Sequence, residues 1–141
     1  MQKTKSYSFF ISALISLFSF IFAVAIALLL FANAGEYSHA SESKTLALAL
    51  SQELLEQQKE KIERMNGWDL QLLAKEGKII EESHTKQWDG EERTFSSHVT
   101  LSGEQKEQGI LIHIAVQVDG EQLNGENENL VHLNTKMYRK M

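Results

Sequence analysis

The chain has no cysteine and no proline among its 141 residues. Without cysteine there is no disulfide, no thiol nucleophile and no thiolate-bound zinc, so a domain outside the cytoplasm must rely on its core. Without proline the strongest helix breaker is missing, and a helix begun near the N-terminus meets nothing to kink it. Charge is the third absence. From Ser6 to Gly35 no side chain is charged, and most of that run is Phe, Leu, Ile, Val and Ala.

The apolar run 9–34 can cross a bilayer of roughly 30 Å as one helix at about 1.5 Å per residue. A charge-free stretch of this length exceeds what a domain of this size buries, which argues against a core helix. A cleaved signal peptide is the stronger rival, because Ala32, Asn33 and Ala34 fit the small-x-small pattern and basic residues stand upstream. Signal peptides, however, carry apolar stretches of about 7–15 residues, and 9–31 is longer. The reading adopted is a retained single-pass anchor in the lipid bilayer of the cell membrane. Lys3 and Lys5 precede it, while Glu36 and Glu42 follow. The excess of Lys marks the cytoplasmic side, which places the N-terminus inside and the C-terminal domain in an extracytoplasmic position. Ser12, Ser16 and Ser19 recur at helical spacing. Hydroxyls bonded to the helix's own carbonyls explain them; a close-packing face for a neighbouring helix is the sharper alternative.

Beyond the anchor, about 105 residues remain, enough for one modest domain. This part holds all nineteen acidic residues against twelve basic ones, a net charge of about −7. Such a surface is a poor match for nucleic acid or an anionic lipid surface.

Segment 37–65 reads as helix. Leu46, Leu50, Leu54 and Ile62 recur on one stripe with Leu48 and Leu55 alongside, and Glu56–Lys59 and Glu60–Arg64 have helical pair spacing. Asn66 and Gly67 supply a stop. Past Asn66 the period becomes strand-like. Stretches 70–74 and 78–82 flank a hairpin-like connection at 75–77, and Trp88, Asp89 and Gly90 mark a loop. Phe95, Val99 and Leu101 alternate with polar residues, and Ile110, Ile112, Ile114, Val116 and Val118 form the clearest period-2 face. Asp119 and Gly120 signal a turn, 124–129 is a polar loop, and 130–138 offers a last strand. The expected fold class is α+β: a long N-terminal helix packed on an antiparallel meander of four or five strands. The organisation read from this is a basic cytoplasmic leader at 1–8, a transmembrane helix at 9–34, an amphipathic helix at 35–66 and a sheet domain at 67–141.

That order resembles type IV pilins and the pseudopilins of secretion and competence systems. The resemblance rests on the short basic leader, Ser8, Phe9, Phe10 and Ile11 entering the apolar helix, the amphipathic stretch 40–61, and the strands to Tyr138. More narrowly, the chain looks like small pilin-like proteins of Gram-positive bacteria, in which a Ser/Ala/Leu/Gln-rich helix such as 43–58 precedes a short sheet ending near Thr135 and Tyr138. The resemblance implies a minor component of a type IV pilus, competence or type II secretion-like assembly, with other pilin-like subunits as partners through the N-terminal helix. Ser8 stands where such proteins carry Gly before the leader cut, Phe9 would be the first mature residue, and Ala13 replaces the Glu that neutralises a neighbour's N-terminal amine. Leader cleavage after Ser8, cleavage after Ala34 and a permanently anchored form all stay open.

No nucleophile elbow, phosphate loop, HExxH or EF-hand pattern occurs. Glu81–Glu82 and Glu91–Glu92 sit in turn-like polar context and read as solvated surface. Trp68 and Trp88 read as packing residues or edge cover. If the loop 103–108 closes a hairpin with Ser102 opposite Gly109, His98 faces His113, and His132 could join them on the next strand. Three such imidazoles can bind zinc or copper, but that depends on register, and solvated polar-face histidines are the reading adopted. No catalytic residue, metal ligand, cofactor or small-molecule ligand is assigned. The functional expectation is a non-enzymatic, membrane-anchored structural protein; the alternative is an anchored extracytoplasmic ligand-binding or sensor module.

Overall fold

A computed structural model describes residues 2–121 and 127–140. Helix α1 spans Gln2–Arg64 and helix α2 Gly67–Glu76; strands β1 (Lys78–Trp88), β2 (Glu91–Lys106), β3 (Gly109–Glu121) and β4 (Asn127–Lys140) follow. The class is α+β, with one four-stranded antiparallel sheet in the order β1-β2-β3-β4. The chain divides into two compact units, Met1–Ser41 and Glu42–Met141.

The first unit is helix. Its large apolar side chains, from Tyr7 to Phe31, are exposed throughout. One helix is thus long and apolar enough to cross a membrane, and none of its most apolar window is buried.

In the second unit, α1 lays a stripe on the sheet. Ala47, Leu50, Ser51, Leu54, Gln58 and Ile62 are all buried, at the three- and four-residue spacing of one helix face. The stripe runs through Ala47, while Leu46 and Leu55 pack at its margin and Leu48 is exposed. Ser51 is accommodated because its hydroxyl donates to the Leu48 carbonyl at 2.8 Å. Opposite lie Phe95, Val99 and Leu101 of β2 and Ile110, Ile112, Ile114, Val116 and Val118 of β3, all in the same cluster. Burying each side chain of this size stabilises the fold by about 1.5–3 kcal/mol.

Residues 70–74, expected as a strand, belong instead to α2. Asn66 does more than stop α1: its side-chain carbonyl accepts from the Asp69 N–H at 2.9 Å and starts a new helix. Asp69 lies in the first turn and Lys75 in the last, each at the end the helix dipole favours. Leu70 and Leu73 turn inward one helical turn apart. The connection at 75–77 is therefore a helix end, closed by the Gly77 N–H on the Leu73 carbonyl at 2.9 Å. α2 sits tightly on β2 at Gly103, where a Cβ would lie 2.7 Å from the Ala74 Cα.

The strands are longer than their apolar cores. Asp89 (φ 50°) and Gly90 (φ 81°) form the two-residue β1–β2 turn, the left-handed pair that matches sheet twist. Glu81–Glu82 and Glu91–Glu92, read as solvated surface in a turn-like context, lie within β1 and β2 and are exposed. The β2–β3 turn is also two residues, Glu107 and Gln108, because Lys106 pairs with Gly109; the broader loop 103–108 is not formed. Asp119 and Gly120 remain in β3, beside an irregularity at Val118/Asp119 that leaves Leu130 between two paired residues of β4. The loop 124–129 lies partly outside the described residues, and its 127–129 part opens β4. Trp68 and Trp88, expected as packing residues or edge cover, are 68% and 45% exposed, which removes core packing from that pair of readings.

Candidate functional site

Three features of the described residues carry chemistry. The first is the exposed apolar side of α1 from Tyr7 to Phe31. Its six phenylalanines, with Leu, Ile and Val between them, have no protein surface to cover them. That is far more contiguous apolar surface than a water-exposed monomer presents, and the helix is long and apolar enough to cross a membrane.

The second is the outer face of the sheet, turned away from α1. The turn at Glu107 and Gln108 shifts the β2–β3 pairing by four residues from the register expected. His98 therefore stands opposite Gln117, and His113 opposite Ser102. His132 also pairs with Gln117, so Glu81, His98, Gln117 and His132 form one row across four strands. All three histidines share this face, but they do not converge. Among the described residues no group of three or more His, Asp or Glu side chains could hold a metal ion.

His98 is instead flanked by carboxylates. Its Nδ1 lies 3.2 Å from Glu81 Oε1 of β1, and its Nε2 lies 3.5 Å from Asp119 Oδ2 of β3. When protonated the ring donates to Glu81 and attracts the Asp119 carboxylate by charge, which ties three strands together. Gln117 Nε2 holds Asp119 in place at 3.0 and 3.2 Å. No sequence signal short of the register could have found this set.

The third is a pair of polar contacts on the inner side. Arg93, 14% exposed in its side chain, donates to Ser43 Oγ at 2.8 Å and to Glu42 Oε2 at 3.1 Å, fastening the start of β2 to α1. His84 Nε2 lies 2.9 Å from Ser97 Oγ, whose hydroxyl reaches the Glu82 carbonyl at 3.3 Å. Ser97 thus accepts from His84 and donates to the backbone. The nearest Glu82 carboxylate oxygen stands 3.7 Å from the same Nε2, rather than orienting Nδ1, and Ser97 is 1% exposed. A nucleophile needs the opposite of each arrangement, so this trio is packing.

On the surface, Glu56–Lys59 (2.8 Å) and Glu60–Arg64 (2.5 Å) form the ion pairs their spacing announced. The Glu104 carboxyl is held below its usual value, first by its hydrogen bond to Lys106 and then by that ammonium's charge. A lowered folded-state value means a contribution to stability that is present above the ordinary carboxylate range and lost as pH falls through the folded value. Lys106→Met should therefore move the Glu104 titration upward, read from its side-chain carbonyl shift by NMR. An unchanged midpoint would show that the contact does not persist in solution.

Compared with known proteins, the chain matches no family model, no curated protein and no solved structure. Its class stands on its own geometry: an α+β domain on a helix whose first part exposes a long apolar surface.

Proposed function

We propose that the protein is a membrane-anchored, non-enzymatic structural subunit, similar to the minor pilins and pseudopilins of type IV pilus, competence or type II secretion-like assemblies. The observation that carries this reading is the uninterrupted exposure of the α1 side chains from Tyr7 to Phe31, with no charge between Ser6 and Gly35. Lipid covers such a surface while the subunit is stored, and similar helices cover it once subunits assemble. Lys3 and Lys5 before the run orient the N-terminus to the cytoplasm, and the −7 domain faces outward. The work done is mechanical: the helix holds and packs, and the sheet presents a surface.

Because the chain lacks cysteine, one introduced thiol reports one position. Ser16→Cys or Ser19→Cys, labelled with a thiol-reactive photo-crosslinker and irradiated in the living cell, should give crosslinked species containing this chain and other anchored helices. Recovery of monomer alone, with the whole assembly operon expressed, would refute the reading.

A further inference from the structure

The sheet has two edge strands, and both carry charge on the inner side, β1 in its middle and β4 only at its C-terminal end. β1 places Glu82 and Lys86 on its inner side, with Lys86 Nζ 3.4 Å from Glu53. Charges on the inner side are one device that keeps an edge from pairing indiscriminately. β4 is longer, at 14 residues. Its inner side carries Val131, Leu133, Thr135 and Met137, with Arg139 only at its C-terminal end, each partly buried, and no proline interrupts it.

The exposed side chains on the two edges are complementary. Ile79 on β1 is 69% exposed and Tyr138 on β4 is 50% exposed, and both lie on the outer face. Glu81 on β1 and Lys136 on β4 share that face and are also exposed. Rows across the sheet run Ile79, Thr100, Ala115, Asn134 and Glu81, His98, Gln117, His132. A second copy laid with its β1 antiparallel to β4 keeps faces and backbone polarity in phase at any even stagger. Moving it four residues toward the C-terminal end of β4, about 13 Å, sets three pairs at once. The second copy's Ile79 meets Tyr138, its Ile80 meets Met137 on the inner side, and its Glu81 meets Lys136. The like-charge pair this creates is Lys78 against Arg139, at the end of the ladder.

We propose that β4 is the docking strand for β1 of a second copy of this chain, joined by the Ile79–Tyr138 and Glu81–Lys136 pairs. The pairing deepens the structural-subunit reading and rests on it for its purpose. A β4-to-β4 contact is the obvious competitor and fits less well. Centred on Asn134, it sets His132 against Lys136, and the irregularity at Leu130 puts the start of the strand out of phase. The β4-to-β1 contact is heterologous, so every added copy offers a fresh β4 and growth continues.

The test uses the full chain in its membrane. Two differently tagged chains, one Ser83→Cys and one Asn134→Cys, positions that the same stagger sets opposite each other on the outer face, are co-expressed and treated with a short bifunctional thiol reagent. A mixed dimer is expected from the pair and not from either chain alone. Adding Glu81→Lys to the first chain should lower the mixed yield about fivefold, and adding Lys136→Glu to the second should restore it. Dimer from Asn134→Cys alone, or no mixed dimer while circular dichroism shows the variants folded, would overturn the proposal. Anchor crosslinks through Ser16 or Ser19 without edge crosslinks would sink this inference and leave the structural-subunit reading standing; loss of both would sink the two together.

Discussion

Ile21→Arg combined with Val24→Arg should release the protein from the membrane fraction. Both residues lie in the middle of the exposed apolar part of α1. An arginine at the centre of a spanning helix costs about 2.5–3.5 kcal/mol on the insertion scale, so two cost about 5–7 kcal/mol. That is enough to reverse a favourable insertion. Alkaline carbonate extraction is the readout: the natural chain stays in the pellet, and the double variant moves to the supernatant or is degraded. A control pair, Ile21→Leu with Val24→Leu, should pellet as before. If the arginine variant pellets unchanged, the helix is not a membrane anchor. The mature N-terminus, read by mass spectrometry, would further separate a start at Met1, Phe9 or Gly35.

Phe95→Ala should destabilise the domain by about 3–5 kcal/mol, a large part of what a domain of this size possesses. Phe95 is 2% exposed and lies in the same buried cluster as the α1 stripe and the isoleucines of β3. Its ring approaches Gly120 across the β2–β3 pairing, 3.6 Å from where a Cβ would stand. Collapse around the vacated volume is resisted by the neighbouring strand, so the cavity term adds to the lost transfer energy. Urea unfolding of the full chain in detergent, followed by near-ultraviolet circular dichroism, gives the shift. A loss below about 1 kcal/mol would mean the site relaxes freely, contrary to the packing described.

Legibility followed the length of the repeating pattern. The five alternating residues Ile110, Ile112, Ile114, Val116 and Val118 admit one reading, and they form the buried face of β3. The helical stripe through Leu50, Leu54 and Ile62 was equally open to view, although buried Ser51 and Gln58 within it carry no apolar signal. α2 was missed because Leu70 and Leu73 give only one helical interval, too short to outweigh the change of period around them. Asn66 was read as an end when its side chain was making a beginning.

The outer face was harder for a different reason. Residues 102–108 are polar, and the turn at Glu107 and Gln108 has none of the Asn-Gly or Asp-Gly chemistry that announces a tight hairpin. A wider loop was the natural inference, and it carried His98 to the wrong partner. The error kept each histidine on its face because the displacement was even. The observed register takes His113 away from His98 and brings the Glu81 and Asp119 carboxylates to either side of it. Edge complementarity was invisible for the same reason, since it depends on rows that span four strands.

The order β1-β2-β3-β4 has a consequence for how the domain is made. Each strand pairs with the one synthesised just before it, so loop closures within the sheet are short and the hairpins can zip in turn. The stripe on α1 has no such local partner. It emerges before the sheet, yet its cover includes Ile110–Val118, about fifty to seventy residues later in the chain. Until β3 arrives, Ala47, Leu50, Leu54 and Ile62 have an unfilled face, and the nascent chain is at its most adhesive.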